Sequence, residues 1–377
     1  MPSTRIARSP CGLIRSLAAV VTSSDAVAES PSGLPVEGET WRAASPAGAD
    51  EARGARALGT VATDSASVIA AGWNRFPPSM LYRFMRCVRL IPVLCLMAAL
   101  VVSGRLGAEP YAHGVFWRVQ APNGARSHLL GTLHAPDARL AQLPGPVLEA
   151  MSDSEQIATE LVGDEVSAYR FRRAMMMREP RLPDLLGSED FTRVESLLAQ
   201  SGVRFSARPR MKPWAALLVI AQPTGASGVS MDEALLAHAR DAGKPVRPLE
   251  SIEEQIASFE GVPQESQVQL LRHAGRFPQL MRASFEPLIR AYLAGNLAEM
   301  FRINESILDN APELRRHNAD FLGAVLYSRN RRFVERLEPL LRKGRLFAAF
   351  GALHLFGEEG VLSLLERRGY RLQRVEP

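Results

Sequence analysis

Two histidines stand at matching places in this chain. His134 closes Leu129-Leu130-Gly131-Thr132-Leu133-His134, and His354 closes Phe347-Ala348-Ala349-Phe350-Gly351-Ala352-Leu353-His354, so each ends an apolar run with Gly-x-x-His. A neutral imidazole ligates zinc, manganese, cobalt or iron, and two imidazoles with one carboxylate leave coordination positions open to water and substrate. Glu160, in Thr159-Glu160-Leu161, is a carboxylate able to complete such a set. An ion held there lowers the pKa of water toward ~7 and polarises a carbonyl. A second acid, Glu250, is a candidate general base or ligand, and Arg329 and Asn330 are candidates to steady developing negative charge, as fixed donors do in acyl transfer. The plain alternatives are hydrogen-bonded core histidines, glutamates that cap helices or form ordinary ion pairs, and a solvated surface arginine. The sequence contains no His-Glu-x-x-His, Cys-x-x-Cys, phosphate-binding Gly-Lys-Ser/Thr loop or Gly-x-Ser-x-Gly.

These residues need elements to position them. The apolar runs read as buried strands, with each glycine allowing a tight turn or a close backbone approach and each histidine just past a strand end. In open α/β sheets that edge is where sites form. Asn123-Gly124 predicts a hairpin from the strand around Phe116–Val119 into Ser127–Leu130. A helix is expected after Leu143-Pro144, followed by a short strand ending at Glu160, which shares an edge with His134 if that helix is a right-handed crossover. Residues 167–199 read as irregular helix, in which Met175, Met176 and Met177 fill core. Ala215–Ala221 reads as helix or strand, and 223–230 as a Gly/Ser/Pro-rich loop. Met231–Ala242 is expected to be a helix stopped by Gly243, and Lys244–Glu250 a strand. Helical spacing then dominates to about Leu308. A helix carrying Val334, Leu337 and Leu341 and closed by Gly344 precedes the second motif. A helix with Val361, Leu364 and Leu365 and a strand from Tyr370 to Val375 finish a βαβ-like unit. The expected fold class is α/β, or α+β: a mixed sheet flanked by helices, with a helical insertion or cap over about 252–326.

Composition sets the frame. Of 377 residues 46% are hydrophobic and 23% charged, an ordinary globular balance, and the net charge of +5 is concentrated early. Residues 1–108 hold 11 arginines, no lysine and 7 acids, so residues 109–377 carry 34 basic and 33 acidic side chains. A nearly neutral body argues against a nucleic-acid binder. Residues 1–79 read as a disordered or untranslated extension. Arg83, Arg86 and Arg89, the apolar run Leu90–Val102 and the small residues Ser103, Gly104, Gly107 and Ala108 have a signal peptide's layout. The expectation is synthesis from Met80 or Met85, cleavage near Gly104 or Ala108, a single domain over 109–377, and a periplasmic or secreted protein. The apolar run is shorter than the ~20 residues a bilayer span needs. Cys11, Cys87 and Cys95 all precede Ala108, which leaves the expected mature chain without thiol or disulfide.

Leu130-Gly131-Thr132-Leu133-His134 with Leu143-Pro144, then Thr159-Glu160-Leu161, Lys212-Pro213-Trp214, Pro248-Leu249-Glu250, Arg329-Asn330, Phe350 to Gly357 with Gly360-Val361, and Arg368-Gly369-Tyr370 resemble, in order, the TraB/PrgY/GumN family. The resemblance runs from about Trp117 to Val375. That family includes the Tiki proteins, described as metal-dependent proteases with two Gly-x-x-His motifs and an essential glutamate, and it is similar to the erythromycin esterase and ChaN-like group. The resemblance implies His134, Glu160 and His354 as the metal and catalytic set, and manganese, cobalt or zinc as the ion. It implies a peptide or small-molecule substrate. Many relatives have a small or polar residue after the first histidine, whereas here Ala135-Pro136-Asp137 follows, which stiffens the loop and keeps an acid nearby. Two functions are expected as alternatives: a metal-dependent hydrolase, and a non-catalytic envelope protein that binds a glycan or peptide and assists polysaccharide assembly or export.

Overall fold

A computed structural model of the chain describes residues 109–135, 137–222 and 228–377. The signal layout, the three cysteines, Pro136 and most of the Gly/Ser/Pro-rich loop lie outside the described residues. A mixed six-stranded sheet has the order β4-β3-β5-β2-β1-β6, with β1 Phe116–Gln120, β2 Arg126–Thr132, β3 Gln156–Thr159, β4 Val246–Pro248, β5 Leu346–Gly351 and β6 Arg371–Arg374. The expected α/β class holds.

The hairpin forms as Asn123-Gly124 predicts. Gly124 adopts φ 88°, open to glycine, and β1 pairs antiparallel with β2 from Phe116↔Leu130 to Gln120↔Arg126. Strands β2, β5, β3 and β4 are mutually parallel. Central β5 is buried from Leu346 through Phe350, the continuous apolar run of a strand covered on both faces. The last strand departs from a simple βαβ unit. β6 does not lie beside β5; it passes over β2 and β1 to pair antiparallel with β1, Val119 opposite Leu372.

The helices, in order, are α1 Ala138–Ala141, α2 Gly145–Asp153, α3 Glu165–Ala174, α4 Leu182–Leu186, α5 Ser188–Gln200, α6 Pro213–Ile220, α7 Met231–Asp241, α8 Ile252–Glu260, α9 Gln264–Arg276, α10 Pro278–Leu293, α11 Leu297–Ser306, α12 Arg315–Leu322, α13 Ser328–Lys343 and α14 Val361–Glu366. The stretch left open as helix or strand is helix α6, with Pro213 in its first turn, where the missing N–H costs nothing. Helix α13 begins earlier than the expected apolar spacing. A π-helical turn, Gly323–Tyr327, joins it to α12, so Arg329 and Asn330 sit in its first turn rather than ahead of it.

Among the described residues two large apolar cores result, with a small third cluster of Leu270, Leu308, Ala311 and Leu314. One surrounds the sheet and takes in Phe347, Phe350, Leu337 and Leu341. The other is helical: Trp214 stacks on Phe259 with centroids 5.1 Å apart, Phe171 meets both edge-on, and Met175 is buried among them. This core begins at Leu161, next to Glu160, and so braces one wall of the sheet's C-terminal edge.

Candidate active site

Both Gly-x-x-His motifs come off adjacent parallel strands, with Gly131 opposite Phe350 and Thr132 opposite Gly351. Close approach, not a positive φ, explains the glycines. A Cβ on Gly131 would stand 2.8 Å from Ala352 Cα and Leu355 Cδ1, where a 3₁₀ turn, Ala352–His354, folds over β2. A Cβ on Gly351 would stand 3.3 Å from Glu160 Oε1 and 3.5 Å from His134 Nε2, inside the site.

Glu160 follows β3 on the other side of β5. Its Oε1 accepts from Gly351 N at 2.6 Å and lies 3.6 Å from His134 Nε2 and 3.8 Å from His354 Nε2. Both histidine motifs thus converge on one carboxylate oxygen. Its Oε2 accepts from Arg329 Nη2 at 2.6 Å. Burial alone would raise the Glu160 carboxyl, but Arg329 and the two imidazoles hold it well below the usual carboxylate range.

Each imidazole is oriented by its other nitrogen. Asn330 Nδ2 donates to Glu359 O at 2.7 Å, so Asn330 Oδ1, 2.5 Å from His354 Nδ1, is the acceptor, and the His354 proton sits on Nδ1. Nε2 then carries the lone pair toward Glu160. Burial and the Arg329 cation push His354 down to about 3, so the ring is neutral. His134 Nδ1 lies 2.6 Å from Asp232 Oδ2, and Thr132 Oγ1 donates to Asp232 Oδ1 at 3.0 Å. For His134, burial lowers the pKa, but Asp232 and Glu160 outweigh it and lift it well above the ordinary value. The His134 side chain is 38% exposed against 6% for His354, so His134 is the more open of the two.

Glu250 stands behind this layer. Its fully buried side chain accepts from Arg329 Nε at 3.0 Å, from Arg332 Nη1 at 2.9 Å and from Gln255 Nε2 at 3.3 Å. Burial lifts its pKa above the usual value in spite of Arg329, and the Glu160 charge adds to the lift. Arg329 links both glutamates, donates to Val325 O of the π turn at 3.2 Å, lies 3.3 Å from His354 Nε2 through Nη1, and sits 5.2 Å from the Phe333 ring centroid. The structure therefore brings together His134, Glu160, Glu250, Arg329, Asn330 and His354. Asp137, the acid after the first motif, points elsewhere: it caps α1 through Arg139 N and pairs with the Arg139 guanidinium.

Sequence reasoning missed Asp232, Thr132 and Arg332. A signal for Asp232 exists, because Ser230 and Glu233 form a capping box that fixes the start of α7 and places Asp232 in its first turn.

The donor chemistry suits a divalent cation. Two Nε2 atoms stand 3.6 and 3.8 Å from one carboxylate oxygen, and each Nδ1 lies beside an oxygen acceptor, the arrangement that orients metal-bound histidines. Ligands of a tetrahedral ion with ~2.0–2.1 Å bonds stand about 3.3 Å apart, a little closer than the separations here. Among the described residues no group of three or more His, Cys, Asp or Glu is drawn in to metal-holding geometry.

Comparison with known proteins places this architecture. The chain is 28% identical over 169 residues to the metalloprotease TIKI2 of Danio rerio, covering 39% of this chain and 32% of that protein. It is 24% identical over 256 residues to the uncharacterized protein YbaP of Shigella flexneri and 23% identical over 256 residues to YbaP of Escherichia coli K12, each covering 66% of this chain and 90% of the relative. The chain thus spans about a third of the Tiki relative's length. No solved structure matches. The family model for TraB/PrgY/gumN matches residues 115–374, which takes in both histidine motifs, both buried glutamates and Arg329, and the chain belongs to that family.

Proposed function

We propose that this protein is a metal-dependent hydrolase of peptide bonds, working in the periplasm or after secretion. The observation that carries the reading is the convergence of His134 Nε2 and His354 Nε2 on Glu160 Oε1. The relation to a protein named a metalloprotease supports it. His134, Glu160 and His354 are the residues to hold the ion. A divalent cation bound there supplies a lowered pKa for water and a polarised substrate carbonyl.

The chain's own groups do the rest. Asn330 keeps the His354 proton on Nδ1, and Asp232 does the same for His134, so both Nε2 atoms face the reacting point. Arg329 keeps Glu160 ionised and fixed through Oε2, leaving Oε1 as the carboxylate oxygen beside the histidines. Glu250, itself held by Arg332, fixes Arg329 from behind. Substrate approaches past the exposed edge of His134.

The test is hydrolysis of a peptide library by the purified protein supplied with manganese, cobalt or zinc, beside Glu160→Gln. Cleavage that needs both metal and Glu160 supports the reading. Persistent inactivity of well-folded, metal-loaded protein on peptides and on simple esters contradicts it. One observation favours a second reading, a non-catalytic envelope protein that binds a glycan or peptide and assists polysaccharide assembly: Arg329 Nη1, 3.3 Å from His354 Nε2, satisfies that nitrogen with no ion required. Glycan binding by metal-free protein would select this alternative.

A further inference from the structure

Away from the site, charge is unevenly spread. Residues 170–181 carry five arginines and one glutamate, and residues 204–212 carry four cations and no acid, in a 109–377 body that is nearly neutral. The fold joins the two segments: Met177 N donates to Arg210 O at 2.8 Å, Lys212 N donates to Met175 O at 2.8 Å, and Met176 bridges Met211. Arg170, Arg208 and Lys212 have acidic partners in Glu253, Glu195 and Glu260. Arg173, Arg178, Arg181, Arg204 and Arg210 are exposed, and their side chains have none among the described residues. In the same patch Phe205 is 74% exposed, in a turn whose neighbours Arg204 and Ser206 are also exposed, with the Arg208 guanidinium 5.7 Å from its ring centroid.

Beyond this contact with Arg208, the large aromatic side chain is left in water beside arginines that have no acidic partner among the described residues. We propose that this surface docks on an anionic lipid bilayer, the arginines over phosphate headgroups and the Phe205 ring among the first acyl carbons. Charge complementarity gives the arginines their partner, each cation near an anionic leaflet adding about fivefold to binding. The ring separates this occupant from a soluble polyanion, because an aromatic side chain gains free energy at a lipid interface by leaving water.

The test is co-sedimentation of the full chain with phosphatidylcholine vesicles with and without phosphatidylglycerol, together with hydrogen exchange at residues 204–210. The expected result is binding that requires phosphatidylglycerol, weakens with salt and slows exchange at 204–210. Arg178→Glu with Arg210→Glu should lower it more than about tenfold, and Phe205→Ser several-fold. Arg315→Glu with Arg316→Glu, exposed arginines of α12 without acidic partners among the described residues, should leave it unchanged. Circular dichroism establishes that each variant is folded, and all variants share the apolar 90–102 segment, so any contribution from it is common. Equal binding to neutral vesicles, unchanged exchange at 204–210, or full binding by the patch variants overturns the proposal. Binding to a soluble acidic polysaccharide that ignores Phe205→Ser overturns it in favour of a glycan surface.

Discussion

Asp232 Oδ2 lies 2.6 Å from His134 Nδ1, although 98 positions separate the two in the chain. Because Thr132 Oγ1 holds the other Asp232 oxygen, the carboxylate is fixed on both sides and fixes the ring in turn. Asp232→Asn should leave the fold intact and lower divalent-metal affinity by about 10–100-fold, the usual effect of losing an acceptor behind a ligating histidine. Titration calorimetry with manganese or zinc measures it.

Arg329 is the only cation that touches both buried glutamates among the described residues. Arg329→Met should therefore destabilise the protein by about 3–5 kcal/mol, because it leaves Glu160 without its guanidinium partner in a low-dielectric interior and Glu250 with Arg332 as its one remaining cation among the described residues. Adding Glu250→Gln should restore part of the loss, since the pair is in direct contact. Urea unfolding of the three variants checks both statements.

The two motif glycines should behave differently. Gly131→Ala pushes a methyl into Ala352 backbone at 2.8 Å and should cost about 1–3 kcal/mol of stability. Gly351→Ala meets only side-chain atoms at 3.3 Å or more, so stability should change less while metal binding falls. Thermal melts beside metal titrations separate the two effects.

Much of this was legible in the sequence, because buried strands, caps and turns leave local marks. The apolar run of β5 carries its own burial, Asn123-Gly124 its hairpin, and Gly344, at φ 81°, its helix end. His134, Glu160 and His354 could be found because each follows a strand. For Asp232 the capping box marks a place in a helix's first turn and no more, and Arg332 has no such mark, since nothing local says which helix faces the sheet edge. The place of β6 escaped for the same reason: its pairing with β1 is a long-range contact, while the sequence around it reads only as helix then strand.

Acid should loosen the helical layer through Asp190. This buried carboxylate accepts from Arg276 at 2.8 and 2.7 Å and from Arg193 at 3.0 Å, and Arg276 above all holds its pKa below the usual value. Its folded pKa is below its unfolded one, so its stabilisation is complete above the unfolded value near ~3.9 and disappears as pH falls through the folded value. Asp190→Asn should cost about 1–2 kcal/mol at neutral pH, with partly exposed arginines keeping the figure modest, and much less at acid pH. Urea midpoints across that range measure the difference.

The most direct test of the central claim is the metal content of the purified protein beside His134→Ala and His354→Ala, after chelation and reloading with manganese, cobalt or zinc. The account predicts near-stoichiometric metal in the parent and its loss in both variants while both remain folded, which would put the two motifs at one ion. A parent that holds no metal under any loading, or a variant that keeps it, would contradict the account.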